Sequence, residues 1–214
     1  MHLDIYSDTV CPWCLVGKRR LEKALALRPE PGLSLRWRPF QLNPGMPAEG
    51  MAREEYVAIK FGERGGDAYA RIRAVGVEEG VAFAFERIAR QPNTLDSHRL
   101  IDLAWREGRQ DAVVEAIFAA FFLEGRDIGD RGVLVAAAEA AGLDGPATAR
   151  YLESGEDAIR IAQEDSAARE AGISGVPFFV LDGAYALSGA QPPEVFHQLF
   201  DHGRQKAPEP AAVS

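Results

Sequence analysis

The stretch SDTVCPWCLVGKRRLEKAL, residues 7–25, holds both cysteines of a 214-residue chain. Two thiols three positions apart admit three chemistries: half of a metal site, a structural staple, or a redox-active dithiol. The alternation in HLDIYS (2–7) predicts a short strand just before the pair. A helix then starts around Cys11, with Pro12 suited to its first position and Leu15, Leu21, Leu25 and Leu27 along its length. Positions i and i+3 share a helix face, so the two side chains can meet. Cys11 falls at the helix N-terminus, where unpaired N–H groups and the macrodipole favour a thiolate. Cys14 lies one turn in. The expectation is an exposed nucleophile and a sheltered resolving thiol. Pro12 stiffens the turn without losing a helical hydrogen bond, and Trp13 projects beside the sulfurs with no basic nitrogen to offer.

The rest of the chain narrows the three chemistries. Hydrophobic residues at 47% and charged residues at 26% predict an ordinary packed core. The net charge of −8 argues against nucleic acid or an anionic membrane as a partner, since phosphates find no basic stripe. Lys18-Arg19-Arg20 is short and reads as a solvated helix face. MHLDIYSDTV has no basic leader or apolar core of a signal peptide, and no apolar run reaches about 18 residues. A cytoplasmic location is expected, and with it no permanent structural disulfide. A structural zinc site needs four ligands. His197 and His202 complete such a set on paper, but residues i and i+5 of a helix point about 140° apart. No metal is expected, and the redox reading leads.

Beyond the first helix, LSLRWRPF (33–40) reads as a second strand and QLNPGMP as its turn-rich exit. Segments 51–62, 66–79, 95–107, 110–123, 130–141 and 145–171 have helical character, separated by glycine-bearing breaks. PFFVLDG and AYALSG then form a hairpin across Asp182-Gly183. The last helix, PPEVFHQLFDHG, opens with prolines and is expected to end at Gly203. Consecutive helices cannot sit inside one sheet. The fold class is therefore α/β. Residues 1–45 and 160–204 build one small mixed sheet with its helices, 46–159 pack as a helical insertion domain, and 205–214 form a disordered tail.

A second stretch, GISGVPFFVLDG (172–183), places Pro177 directly before a strand, a position open to proline only at a strand start or an edge. CPWC after the first strand and Val-Pro before a hairpin resemble the thioredoxin superfamily. DTVCPWCLVGKRRLEKAL, RPFQLNP, PNTLDSHRLIDLA, FFLEGRDIGDRGVL, AAGLD, GISGVPFFV and LSGAQPPEVF, in order from residue 8 to 196, resemble the FrnE-like branch of DsbA-type oxidoreductases. The resemblance implies a thioredoxin-like fold interrupted by helices. It implies a thiol–disulfide oxidoreductase or isomerase acting on protein or small-molecule thiols and disulfides, with Cys11 attacking and Cys14 resolving. It also implies a cis Val176-Pro177 bond opposite Cys11, where an extended substrate can pair with the backbone. Pro12 and Trp13 join that binding surface. Asn93 and His98 either cap a helix or line the cleft above the dithiol. Ser188, Gly189 and Ala190 form a loop before the last helix, whose N-terminus could hold an anion. No bound cofactor is implied, with glutathione a candidate redox partner, and the chain is expected to be a monomer or homodimer.

The sequence departs from the wider superfamily at Ile5, where many relatives carry a buried carboxylate, leaving Asp4 and Asp8 as the nearest acids. Trp13 stands where strongly oxidising periplasmic relatives have histidine. Two other functions use related features. Kappa-class glutathione transferases and 2-hydroxychromene-2-carboxylate isomerases share the interrupted fold. Val176-Pro177 and Ser188-Gly189-Ala190 would there hold glutathione, but those enzymes typically have serine in place of Cys11. A redox-linked chaperone-like module would instead grip unfolded chains with Phe83, Phe85, Trp105, Phe121 and Phe122, although aromatics at helical spacing are more often core.

Overall fold

β1 (His2–Ser7) is an inner strand of a four-stranded sheet because it can bury one whole face. Leu3, Ile5 and Ser7 point inward, alternating with half-buried His2, Asp4 and Tyr6. The computed structural model describes residues 1–62 and 65–206, with backbone alone at 65, 67, 68 and 206. α1 (Pro12–Leu27) follows β1 and leads to β2 (Ser34–Pro39), which pairs parallel to β1 with Ile5 opposite Trp37. Near the other end, β5 (Phe178–Leu181) pairs antiparallel to β1 with Phe179 opposite Ile5, and β6 (Tyr185–Ser188) completes the order β2-β1-β5-β6. The β5–β6 turn places Asp182 at φ 50° and Gly183 at φ 66°, as the Asp-Gly pair predicts.

Between the halves of the sheet come a small ladder and a run of helices. β3 (Met51–Ala52) pairs with β4 (Arg90–Gln91), an element the sequence did not announce. Around it lie α2 (Arg53–Phe61), α3 (Gly65–Glu78) and a 3-10 turn at Phe85–Arg87. α4 (Leu95–Arg106) and α5 (Gln110–Phe118) follow, the latter continuing as a wider π turn over Ala119–Leu123. α6 (Arg131–Ala140), α7 (Gly145–Ser154), α8 (Ala158–Glu170) and, after the sheet, α9 (Pro193–Lys206) complete the chain. The expected β-α-β, helices, β-β-α order is present.

Three expectations are corrected. Segment 145–171 is two helices. Gly155 at φ 71° and Asp157 at φ 64° break it, and the buried Arg99 guanidinium donates to the carbonyls of Tyr151, Leu152 and Glu156 at the break. Gly203 does not end the last helix. A Cβ there would lie 2.6 Å from Leu181 Cδ2, so this glycine permits close packing while α9 runs on through Lys206. The remainder of the expected tail, 207–214, lies outside the described residues. Finally, Lys18-Arg19-Arg20 is no solvated face. Lys18 is 3% exposed and meets Glu22, Asp111 and Glu115, Arg19 also meets Glu22 and Glu115, and Arg20 donates to Glu79 and to the Ala190 carbonyl. Burial works against the Lys18 charge, but these carboxylates outweigh it and hold the ammonium above its ordinary value.

One hydrophobic cluster runs from Leu3, Ile5 and Phe179 through α1 and α9 into Phe118, Phe121, Phe122 and Leu134 of the helices. The edge of β2 is closed by Gln110, whose side chain accepts from Trp37 N at 2.8 Å and donates to Trp37 O at 3.0 Å, as a neighbouring strand would. α1 lies very close to the start of β5. A Cβ on Gly17 would sit 2.9 Å from Pro177 Cγ and 3.4 Å from Phe179 Cζ.

Gly17→Ala therefore sets a helix-propensity gain of about 1 kcal/mol against an overpacking cost of about 1–3 kcal/mol. The expected net loss is on the order of 1 kcal/mol, read as a Tm drop of about 2–4 °C. A melt showing a raised Tm would mean that the contact yields freely.

Candidate functional site

Cys11 is the N-cap of α1, with φ −94° and ψ 110°, and Pro12 takes the first helical position. The turn is fixed from both sides: Cys11 N–H donates to Asp8 O at 3.0 Å and Cys14 N–H to Cys11 O at 3.0 Å. The loop before it is anchored by side chains. Asp8 Oδ2 accepts from Leu42 N at 2.7 Å, and the hydroxyls of Thr9 and Ser97 meet at 2.8 Å. The Val176-Pro177 bond is cis, and the Cys11 thiol lies 3.6 Å from Val176 O as a weak donor.

Both cysteines are free thiols. The expectation of an exposed Cys11 is corrected: it is 4% exposed, because the Val176 segment lies over it, while Cys14 is fully enclosed. Burial pushes the Cys14 thiol well up, and the neighbouring Cys11 adds to this. Contacts with the Ser7 hydroxyl and the Asp8 main chain pull the other way. The pair thus has one sulfur at the start of α1, covered by the Val176 segment, and a protonated one fully enclosed a turn further in.

The structure brings most of the expected site residues together. Half-buried Trp13, Val176 and Ala190 pack against the core that holds both cysteines. Gly189, at φ 80°, donates its N–H to Pro177 O at 2.8 Å, which sets the 188–190 loop beside the cis peptide. Arg20 of α1 secures that loop through Ala190 O at 2.7 Å. Ser188 ends β6 opposite Phe178, and its carbonyl accepts from Gln191. The α9 N-terminus is a poor anion cradle, since Pro192 and Pro193 carry no N–H and Glu194 adds a carboxylate to the first turn.

Asn93 and His98 lie differently. Asn93 Oδ1 accepts from Leu95 N at 2.9 Å while its amide donates to Met46 O at 2.6 Å, so it braces the start of α4. His98 is 3% exposed and faces Asp8 instead of an open cleft. Ile5 is enclosed in the core. His197 and His202 bond to the carbonyls of Ala24 and Gln198, respectively. Phe83, Phe85, Phe121 and Phe122 are buried, with Phe83 stacked on Phe85 at 4.8 Å, which makes them core and not a gripping surface. A cleft of about 730 Å³ lined by Arg53, Tyr69, Arg73 and Phe85 includes neither thiol.

Sequence reasoning passed over Gly17, Arg20 and the Asp8–His98 contact. The basic run was the available signal for Arg20. Nothing local marks an aspartate and a histidine 90 positions apart as partners.

Residues 2–201 match the DSBA-like thioredoxin domain, and the chain belongs to that family of DsbA-like thiol–disulfide oxidoreductases. A solved structure from Streptomyces coelicolor, described as a probable DsbA oxidoreductase, is 34% identical, with a TM-score of 0.88 over 100% of this chain and 94% of that one. A 2-hydroxychromene-2-carboxylate isomerase is 21% identical, with a TM-score of 0.71 over 96% of each chain. The cytosolic disulfide reductase DsbM from Pseudomonas aeruginosa, solved with GSH, is also 21% identical, with a TM-score of 0.70 over 95% of this chain and 100% of its own. At that identity the last two are alike in fold. Among the described residues, no helix is long and apolar enough to cross a membrane.

The enclosed Cys14 links stability to pH. Above the ordinary thiol value of 9.0 the unfolded thiol ionises while the folded one keeps its proton. The unfolded chain then binds fewer protons, and stability falls as pH rises, by up to about 1.4 kcal/mol per pH unit until Cys14 itself ionises. Urea titrations of reduced wild type and Cys14→Ala should show a steeper alkaline loss for wild type. Raised tyrosines, such as Tyr6 and Tyr69, titrate alike in both proteins. Parallel losses would contradict the assignment.

Proposed function

We propose that the chain catalyses thiol–disulfide exchange through the Cys11–Cys14 dithiol, acting on protein or small-molecule disulfides. The observation that carries this reading is Cys11 at the N-cap of α1 with its sulfur against Val176 O beside the cis Pro177. The helix N-terminus favours a Cys11 thiolate. That thiolate attacks a substrate sulfur, a mixed disulfide forms, and Cys14 then attacks the Cys11 sulfur, forming the Cys11–Cys14 disulfide and expelling the substrate as a thiolate. Val176 is the pairing point for an extended substrate backbone, which replaces the Cys11 thiol at the Val176 carbonyl. Pro12, Trp13 and the 188–190 loop flank the entering disulfide.

Glutathione is the proposed small-thiol partner and the cytoplasm the proposed location. Both readings are supported by the cytosolic, GSH-bound DsbM neighbour. The isomerase neighbour supports a second reading, glutathione-dependent isomerisation or transfer without a dithiol cycle. The paired Cys11 and Cys14 weigh against it.

Insulin reduction and refolding of scrambled ribonuclease should be accelerated by wild type and reduced to background by Cys11→Ser. Cys14→Ser should accumulate mixed disulfide on Cys11 and lose turnover. Equal activity of wild type and Cys11→Ser would overturn the proposal, and transfer to an aryl halide surviving Cys14→Ser would favour the second reading.

A further inference from the structure

The loop between β6 and α9 lies beside the cis Val176-Pro177 peptide, and its backbone groups can be accounted for one by one. Ser188 O accepts from Gln191 Nε2 at 2.9 Å, and Gly189 N–H donates to Pro177 O at 2.8 Å. Gln191 N–H turns back to Gly189 O at 2.9 Å. Ala190 O accepts from Arg20 Nη1 at 2.7 Å. Of the backbone groups from Ser188 O to Gln191 N, this leaves Ala190 N–H without a hydrogen-bond partner among the described residues. The loop is wound around one open donor.

Two of those bonds lie within the loop itself, and Pro192 and Pro193, which follow it, have no N–H to tie it down. Arg20 is the side chain that reaches it from another element. Its guanidinium spans two partners, since Nε donates to Glu79 Oε1 at 2.6 Å while Nη1 holds Ala190 O. A planar fork with donors in fixed directions suits such a bridge. Arg20 and Glu79 are 17% and 11% exposed, so water competes little for either. Glu79 lies just past α3, so the brace originates in the inserted helices. Lys18 and Arg19, beside Arg20 in sequence, turn instead to Glu22 and Glu115.

We propose that Arg20, oriented by Glu79, is a positioning residue that sets Ala190 N–H to receive a carbonyl or carboxylate oxygen of the substrate chain flanking the disulfide. This rests on the dithiol reaction proposed above and adds a specificity to it. Arg20 acts through the Ala190–Gln191 peptide, whose oxygen it holds while Gly189 O holds the N–H. With that peptide fixed, Ala190 N–H keeps one direction, and the directional preference of a hydrogen bond becomes a preference among substrates. A disulfide whose sulfurs carry peptide groups gains from this donor. One whose sulfurs carry short alcohols gains nothing.

The test compares the rates at which reduced protein reacts with two disulfides. Oxidised glutathione carries peptide carbonyls and carboxylates, and bis(2-hydroxyethyl) disulfide carries neither. Arg20→Lys keeps a cation for Glu79, but a single ammonium on a shorter reach gives up Ala190 O. Its rate ratio of glutathione disulfide to hydroxyethyl disulfide should fall about 10-fold below that of wild type, the scale of one hydrogen bond. Glu79→Gln, which can still accept from Nε, should lower the ratio less and is a second, independent variant if Arg20→Lys folds poorly. Without any substrate, amide hydrogen exchange at Gly189 and Gln191 should quicken in Arg20→Lys while exchange along β1 stays as in wild type. Equal slowing with both disulfides marks a merely structural role and would overturn the proposal, as would an unchanged ratio. Cys11→Ser reacting with both disulfides as fast as wild type would instead sink the dithiol reading, whereas an inert Cys11→Ser beside an unchanged ratio sinks this inference alone.

Discussion

The site depends on the contact between α1 and the Val176-Pro177 peptide. These elements come from opposite ends of the chain, and the sheet alone would leave them merely neighbours. The bare Cα of Gly17 lets the helix settle onto the Pro177 ring. That approach goes with Val176 O lying at the Cys11 sulfur. The thiol is therefore positioned by packing that runs from Cys11 to Gly17, and not by the tetrapeptide alone.

Charged side chains on the same helix tie it to the helices inserted between the sheet halves. Lys18 and Arg19 meet Glu115 of α5, and Arg20 meets Glu79 just past α3. Arg19 and Arg20 are only partly open to water, which still screens their pairs. Lys18 differs because its ammonium is enclosed while its three carboxylate partners stay at least partly in water. Such an arrangement specifies how α1 and α5 meet more than it strengthens the fold.

The element order was legible because it rests on local chemistry. HLDIYS alternates, Pro12 opens a helix, and Asp182-Gly183 turns a hairpin, each within a few residues. Failures came where a long-range partner decides. Gly203 resembles a helix stop until Leu181 is seen against it, and the 145–171 pattern reads as one helix until Arg99 collects the carbonyls at its break. The dithiol was visible as a motif. That Cys11 is covered, and that Asp8 and His98 oppose each other beside it, are consequences of tertiary placement that no window of sequence contains.

Gln110 has a consequence for how another chain could approach. Its amide occupies both backbone groups of Trp37, so β2 offers no ladder at that point to an incoming strand. Under the exchange reaction proposed above, an extended substrate would come close to the sheet, where an open strand edge can template pairing. The side-chain clasp blocks pairing at Trp37 of β2, so such a substrate would have to pair elsewhere, at the thiol end on that proposal, and not as a fifth strand against this residue.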